Sequence, residues 1–361
     1  MNNNLVETHF EFVNQNQIEN QNQNHTLHSK LKIYQVWPGN NRFCCSGKLF
    51  TGPDWKTLIV TEFIFNIPFI LFIIFTAYPS IKIIHFSIFL VALFLFIAVN
   101  LSLLLTSFIE PGIIPRDTYF SGSFQHIPET KPFEFQNNTF ELPYCDTCNI
   151  YRSPRASHCS ICDNCVQKFD HHCGWVGCDL GIRNYRFFFL FLIFVTLSIF
   201  FVFVVSILHI IILTKEKTFS EAFVKTLASY LLTIYSLPFS MYLSKLTFFH
   251  CYLVSKNLTT REYYRNIYKD IQNPFSKGCC KNWIHLLFSK IPPSKIHLKS
   301  FANYNDLFYV SELFLNGGYC GNQIEINQIQ EEMSKIQNQL QNPNEEINEN
   351  DDPKTNLLDK N

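Results

Sequence analysis

Four long apolar runs, residues 58–78, 83–109, 187–213 and 226–247, limit what this chain can fold into. Each meets or exceeds the roughly 20 residues that a helix needs to cross a bilayer. Ser229, Thr233, Ser236 and Ser240 dilute the fourth run and Pro238 interrupts it. Charged residues make up 16% of the chain, well below the about 25% of ordinary soluble domains. One such run could be a buried core helix, but four in one chain describe a polytopic α-helical membrane protein with four transmembrane helices. The first 30 residues are rich in Asn and Gln and lack an apolar core, so no cleavable signal is expected and the first span would direct insertion.

Basic residues set the expected orientation. Four spans put 1–57, 110–186 and 248–361 on one side, and these segments hold 24 of the 29 lysines and arginines. Lys and Arg favour the cytosolic side, so both termini and the 110–186 loop are expected there, in an endomembrane or plasma-membrane protein. The net charge of zero gives no argument for nucleic acid.

Six segments follow: an N-terminal 1–57 that begins disordered; a hairpin of spans one and two, 58–109, turning at Pro79-Ser80; a cysteine-rich loop, 110–186; spans three and four, 187–247; a helix and motif region, 248–300; and a polar, partly disordered tail, 301–361. Glu62 and Asn66 put polar groups in the first span, where an ionisable side chain is either functional or interfacial. Cys44 and Cys45 are juxtamembrane and open to acylation. Thr259 and Glu262 have capping-box spacing ahead of Tyr264, Ile267, Tyr268 and Ile271, the pattern of a cytosolic helix. Ile326, Ile329, Met333, Ile336 and Leu340 suggest a short amphipathic helix that packs on a partner.

Seven of the thirteen cysteines fall between 145 and 178. In a reducing compartment such clusters read as metal ligands or reactive thiols rather than disulfides. The candidates are Cys145, Cys148, His158, Cys159, Cys162, Cys165, His171, His172, Cys173 and Cys178. Two C-x2-C pairs, each two thiolates on a tight turn, indicate zinc. Two closed four-ligand sites use eight of these ten residues, so a Cys and a His can be left for nucleophilic chemistry. Counting does not select the pair, but Asp170-His171-x-Cys173 offers a carboxylate, a base and a thiol in triad order. The alternative is that all ten residues serve structure.

The Asp-His-His-Cys sequence at 170–173, set in this cysteine pattern, resembles the DHHC family of protein S-acyltransferases. The resemblance spans roughly 40–300: four spans, the cysteine-rich loop between the second and third, Glu110-Pro111-Gly112 in place of the family's Asp-Pro-Gly, Thr259-Thr260-Arg261-Glu262 as its Thr-Thr-x-Glu, and 273–282 ending at its asparagine, Asn282. "PGNNRF" and "TGPD" suggest the Ras-palmitoyltransferase-like branch, in which a small accessory subunit sometimes takes part. The resemblance implies a cytosolic zinc-binding domain holding two structural Zn2+, one on Cys145, Cys148, His158 and Cys165, the other on Cys159, Cys162, His172 and a later cysteine. It leaves Cys173 as nucleophile, with His171 as base and Asp170 orienting it. Acyl-CoA would be the donor and proteins with membrane-proximal cysteines the acceptors, at the lipid surface. An inactive zinc-binding membrane scaffold is the competing reading.

Two positions depart from the family. Its last zinc cysteine falls on Asp179, with Cys178 one residue early. Cys178 is favoured as the ligand, by a backbone shift at Gly177, because thiolate binds zinc better than carboxylate; Asp179 remains the alternative. The proline that follows Asp-His-His-Cys in the family is Gly174 here. Arg152, Arg155, Lys168, Arg183 and Arg186 are candidates for the CoA phosphates or for lipid head groups.

Overall fold

A computed structural model describes residues 28–118, 128–135, 138–315 and 323–341. Four helices in it are long and apolar enough to cross a membrane: α1 (Trp55–Ile83), α2 (Ser87–Phe108), α3 (Tyr185–Glu216) and α4 (Phe219–Lys256). Large apolar side chains such as Phe63, Phe94, Ile97 and Leu231 stand exposed along them. A helix that is apolar all round needs lipid or protein on every side.

Pro68 lies inside α1. Its missing N–H would leave the Ile64 carbonyl four residues earlier without a helical partner. Tyr235 of α4 donates to that carbonyl at 2.9 Å, so a neighbouring helix satisfies it, as a membrane interior demands. A π-helical turn at Ile73–Ala77 follows. The helix then continues past Pro79 to Ile83 instead of turning at Pro79-Ser80. Pro79 stands in the first turn of that last piece, where a missing N–H is tolerated.

The polar residues of the spans tie helices together. Asn66 of α1 exchanges amide hydrogen bonds with Asn100 of α2 and donates to Glu62 at 2.6 Å. Ser229, which diluted the fourth run, bonds both Thr76 and His209 at 2.9 Å.

The chain divides into two compact units, of which the spans and the cysteine-rich loop form one. Past α4, α5 (Thr260–Tyr264) has the predicted capping box, Thr259 with Glu262, but ends after five residues. Asn266 has φ +52°, and the longer helix expected through Ile271 is absent. α6 (Cys279–Phe288) follows; Asn282 there donates to Ser255 at the end of α4 and accepts from Lys277 N–H.

The other unit takes in the described part of the tail, including the expected amphipathic helix. Strand His28–Lys32 pairs antiparallel with Phe301–Asn303. α7 (Tyr304–Leu315) and α8 (Gln323–Gln341) complete it. Ile326, Ile329 and Ile336 are buried with Val36, Leu307 and Val310. The partner of the amphipathic α8 is therefore this chain's own α7 and first strand. The Asn/Gln-rich start, the side chain of Leu340 and the residues after 341 lie outside the described residues.

Candidate active site and metal clusters

The cysteine-rich loop folds as short hairpins. Each C-x2-C pair is followed by a residue in the left-handed region, Asn149 at φ +54° and Asp163 at φ +54°, a conformation that Asn and Asp tolerate better than most. Strand Asn164–Val166 pairs with Ser157–Cys159 on one side and Ile113–Ile114 on the other. Glu110 of the Glu-Pro-Gly turn accepts from the N–H groups of Gly112 and Ile113 at 2.7 and 2.9 Å and pairs with Arg183. Its carboxylate thus braces the chain where it leaves α2.

The fold brings together two groups of candidate metal ligands, Cys145, Cys148, His158 and Cys165, and Cys159, Cys162, His172 and Asp179. In the first, the three sulfurs lie 3.5–3.8 Å from His158 Nδ1. Zn–S and Zn–N bonds of about 2.3 and 2.0 Å at a tetrahedral centre put sulfur and nitrogen about 3.5 Å apart, so the group fits zinc. In the second, Cys159 and Cys162 lie 3.9 and 3.4 Å from His172 Nδ1, and Asp179 Oδ1 is 2.8 Å from it. Asp179 Oδ2 is buried and has no hydrogen-bond partner. A buried carboxylate oxygen left bare beside two thiols and an imidazole suits a cation, and zinc accepts carboxylate oxygen.

Asp179, not the favoured Cys178, joins the second group. The reason is strand register. His171–Cys173 and Cys178–Leu180 form an antiparallel hairpin in which His172 faces Asp179 and Cys173 faces Cys178. Successive strand residues point to opposite faces, so His172 and Asp179 share the metal face. Cys173 and Cys178 share the other, in an apolar cluster with Leu58, Leu103, Leu180 and Phe188. The Cys178 thiol donates to the Thr106 carbonyl at 3.6 Å, and burial holds its pKa up. Gly177 makes no shift towards metal; with φ +76° it closes the hairpin turn, where a Cβ would come within 2.9 Å of the Asp54 carbonyl. Gly174 needs no such allowance, since a Cβ there meets nothing within 4 Å.

On the second face, Asp170 Oδ2 lies 2.7 Å from His171 Nδ1. Asp170 is 2% exposed and accepts from Thr260, whose N–H donates to Oδ1 at 2.8 Å and whose hydroxyl donates to Oδ2 at 2.7 Å. Burial alone would raise the Asp170 pKa, but His171 and Thr260 hold it below the usual carboxylate range. Burial opposes charge on His171, yet Asp170 and Cys173 outweigh it and raise its pKa to about 10. Burial likewise opposes a Cys173 thiolate, and His171 with the backbone N–H groups of Val176 and Trp175 reverses the balance and lowers its pKa. The arrangement favours an imidazolium–thiolate pair, the reactive form of a cysteine nucleophile.

Several residues around the site were given no role in it from the sequence. Asp54 Oδ2 accepts from His172 Nε2 at 2.9 Å, the carboxylate–histidine contact that orients metal-bound imidazoles. Thr260 carried a motif match without a role. Glu262 holds Arg155 in a two-pronged pair at 2.6 and 2.7 Å. Asp54 lies in the quoted "TGPD"; its distance from His172 in sequence left no signal to join them.

Beside Asp170 opens a 450 Å³ cavity, whose cationic lining is Arg155, Lys168, Arg183, Arg186, Lys277 and Lys290. Four of the five arginine and lysine candidates line it. Arg152 does not; it hydrogen-bonds the Tyr144 carbonyl. Burial, aided by Arg155, lowers the Lys168 pKa to about 8.

Comparison with known proteins agrees with this geometry. A family model for DHHC palmitoyltransferases matches residues 138–267. The chain is 39% identical over 289 residues to Probable protein S-acyltransferase 6 of Arabidopsis thaliana, covering 75% of this chain and 70% of that protein. It is 35% identical over 301 residues to Protein S-acyltransferase 8 of the same plant, with 75% and 72% covered. It is 34% identical over 308 residues to Palmitoyltransferase ZDHHC18 of Mus musculus, with 80% and 81% covered. Four membrane helices, a cysteine-rich loop between the second and third, and similarity over most of both chains place this protein in the DHHC palmitoyltransferase family.

Proposed function

We propose that this palmitoyltransferase moves a long-chain acyl group from acyl-CoA to protein cysteines through an acyl-Cys173 intermediate. The observation that carries the reading is the position of Cys173. It lies between the Asp170–His171 pair and an apolar cluster of Leu58, Val99, Leu103, Phe188, Leu192 and Val195, drawn from α1, α2 and α3. A thioester carbonyl can meet the thiolate there while its chain enters the bundle; each buried CH2 contributes about 0.8 kcal/mol.

In the first half-reaction the Cys173 thiolate attacks the thioester carbon. An S–C bond forms, the bond to the CoA sulfur breaks, and the departing thiolate takes the His171 proton. In the second, a substrate cysteine gives its proton to His171 and attacks acyl-Cys173, which leaves as thiolate. Asp170, anchored by Thr260, keeps the imidazole oriented throughout. The basic cavity beside Asp170 suits the CoA phosphates, with Lys168, Lys277 and Lys290 as lysine cations; Arg155 and Arg183 already pair with Glu262 and Glu110.

Two Zn2+ ions would be held by Cys145, Cys148, His158 and Cys165 and by Cys159, Cys162, His172 and Asp179. Zinc there supplies cross-links that stiffen short hairpins with little apolar core of their own. The basic-residue asymmetry supports a cytosolic cysteine-rich domain and cytosolic termini. The acceptors are then proteins with cysteines near the cytosolic membrane surface. Residues "PGNNRF" and "TGPD" support the Ras-palmitoyltransferase-like branch and, with it, an accessory subunit.

The test is acylation of the purified protein by palmitoyl-CoA, read by intact mass. Wild type is expected to gain one hydroxylamine-labile palmitoyl group that Cys173→Ala lacks. A folded wild type with no adduct would favour the inactive scaffold.

A further inference from the structure

Asp170 fixes only part of the orientation of His171. The hydrogen bond between His171 Nδ1 and Asp170 Oδ2, 2.7 Å long, sets the direction of one ring nitrogen. The ring can still tilt about that bond, because the terminal torsion of a histidine is soft. With Nδ1 engaged, Nε2 is the nitrogen that passes protons to and from sulfur in the proposed reaction, and a tilt carries it off line.

Two rings take up this freedom. Phe188 of α3 stands edge-on to the His171 ring with centroids 5.7 Å apart, and His250 of α4 lies 6.1 Å from it at an interplanar angle of 37°. Phe188 and His250 also meet each other edge-on at 5.1 Å. Both are buried, at 3% and 1% exposed. The His171 side chain remains 29% exposed, so the wall leaves an open side from which substrates approach.

The mechanism gives His250 no task, and packing alone does not call for a histidine. A phenyl ring would fill the space, whereas a buried imidazole costs free energy unless a polar partner meets it. Tyr185 meets it: its hydroxyl lies 2.9 Å from His250 Nδ1. Tyr185 stands three residues before Phe188, on the same face of α3, so one helix supplies both the edge-on ring and the hydroxyl. The bond fixes the rotation of the His250 ring, which contacts between rings alone leave loose.

We propose that Tyr185 and His250 are positioning residues for the transfer reaction: Tyr185 locks the His250 ring, and His250 together with Phe188 holds the His171 imidazole at its working tilt. Asp170 then sets the direction of the ring and the α3–α4 wall sets its plane. His171 passes a proton in both half-reactions, so the wall serves both.

This inference rests on His171 and Cys173 in their proposed roles, and acylation of the wild type checks those roles separately. Tyr185→Phe keeps the ring and removes the hydroxyl; His250→Phe keeps a ring and removes its acceptor. The probes are palmitoyl-CoA for acyl-enzyme formation and a cysteine peptide for its discharge, each followed by intact mass in single turnover, with zinc counted on the same samples. Each variant is expected to hold as much zinc as wild type, to keep its half-saturating palmitoyl-CoA concentration and to run both half-reactions about tenfold more slowly. In a His171→Ala background, Tyr185→Phe should change the residual rate by less than about twofold, because a residue that acts through His171 has nothing left to position. Wild-type rates in both variants overturn the proposal. So does a full tenfold loss on top of His171→Ala, a raised half-saturating concentration, or lost zinc, each of which gives these residues a different role.

Discussion

The two candidate metal groups share a plan and differ at one corner. Both take two cysteines from a C-x2-C turn and the Nδ1 of a histidine; the first is completed by Cys165, the second by Asp179. Zinc with three thiolates, or with two thiolates and a carboxylate, carries the same net charge, so the exchange keeps the electrostatic balance. What changes is hardness: an oxygen binds zinc less strongly than sulfur against competing soft ligands. The second group also stands nearer the chemistry, because its His172 is flanked by His171 and Cys173 in one strand. The group with the carboxylate corner is thus the one in the hairpin that carries Cys173, the proposed nucleophile.

That contrast can be broken by substitution. The largest effect is expected from Cys148→Ala, which removes one of the three thiolates of the first group. Structural zinc contributes roughly 10–16 kcal/mol of apparent binding free energy in zinc-finger peptides, so this variant should lose a zinc and most of its monodisperse yield on size-exclusion chromatography. Next, neighbouring histidines should separate. His172→Ala should cost the second zinc and with it acylation, while His171→Ala should keep zinc at the wild-type level and slow acyl-enzyme formation about 10²–10⁴-fold, the range of a lost general acid–base group. A smaller effect is expected at the contact behind the metal face. Asp54→Asn should weaken zinc at the second group by about 10–100-fold, read by competition with a chelator, with the first group unchanged.

The spans and the metal-binding character of the loop were legible because each rests on a local pattern: run length in one case, C-x2-C spacing in the other. The choice between Cys178 and Asp179 was not local in that sense. Ligand chemistry favoured the thiol, but register decides which side chain faces His172, and the pairing of His172 with Asp179 is visible only once the hairpin is known. The same alternation explains why adjacent histidines have different surroundings, His171 against Asp170 and His172 among the cysteines. Asp54 was unreadable for another reason. Its partner His172 lies 118 residues away in sequence, and no spacing rule connects them. The helix near the end was legible from its isoleucines, but their partner was not: they pack on α7 and a strand from the far end of the chain.

The most direct measurement counts zinc by native mass spectrometry on Cys178→Ala and Asp179→Ala purified side by side. If the strand alternation sorts these residues as described, Cys178→Ala retains two zinc ions and Asp179→Ala retains one. One zinc on Cys178→Ala with two on Asp179→Ala would contradict the register of the hairpin and the division of its two faces between metal and catalysis.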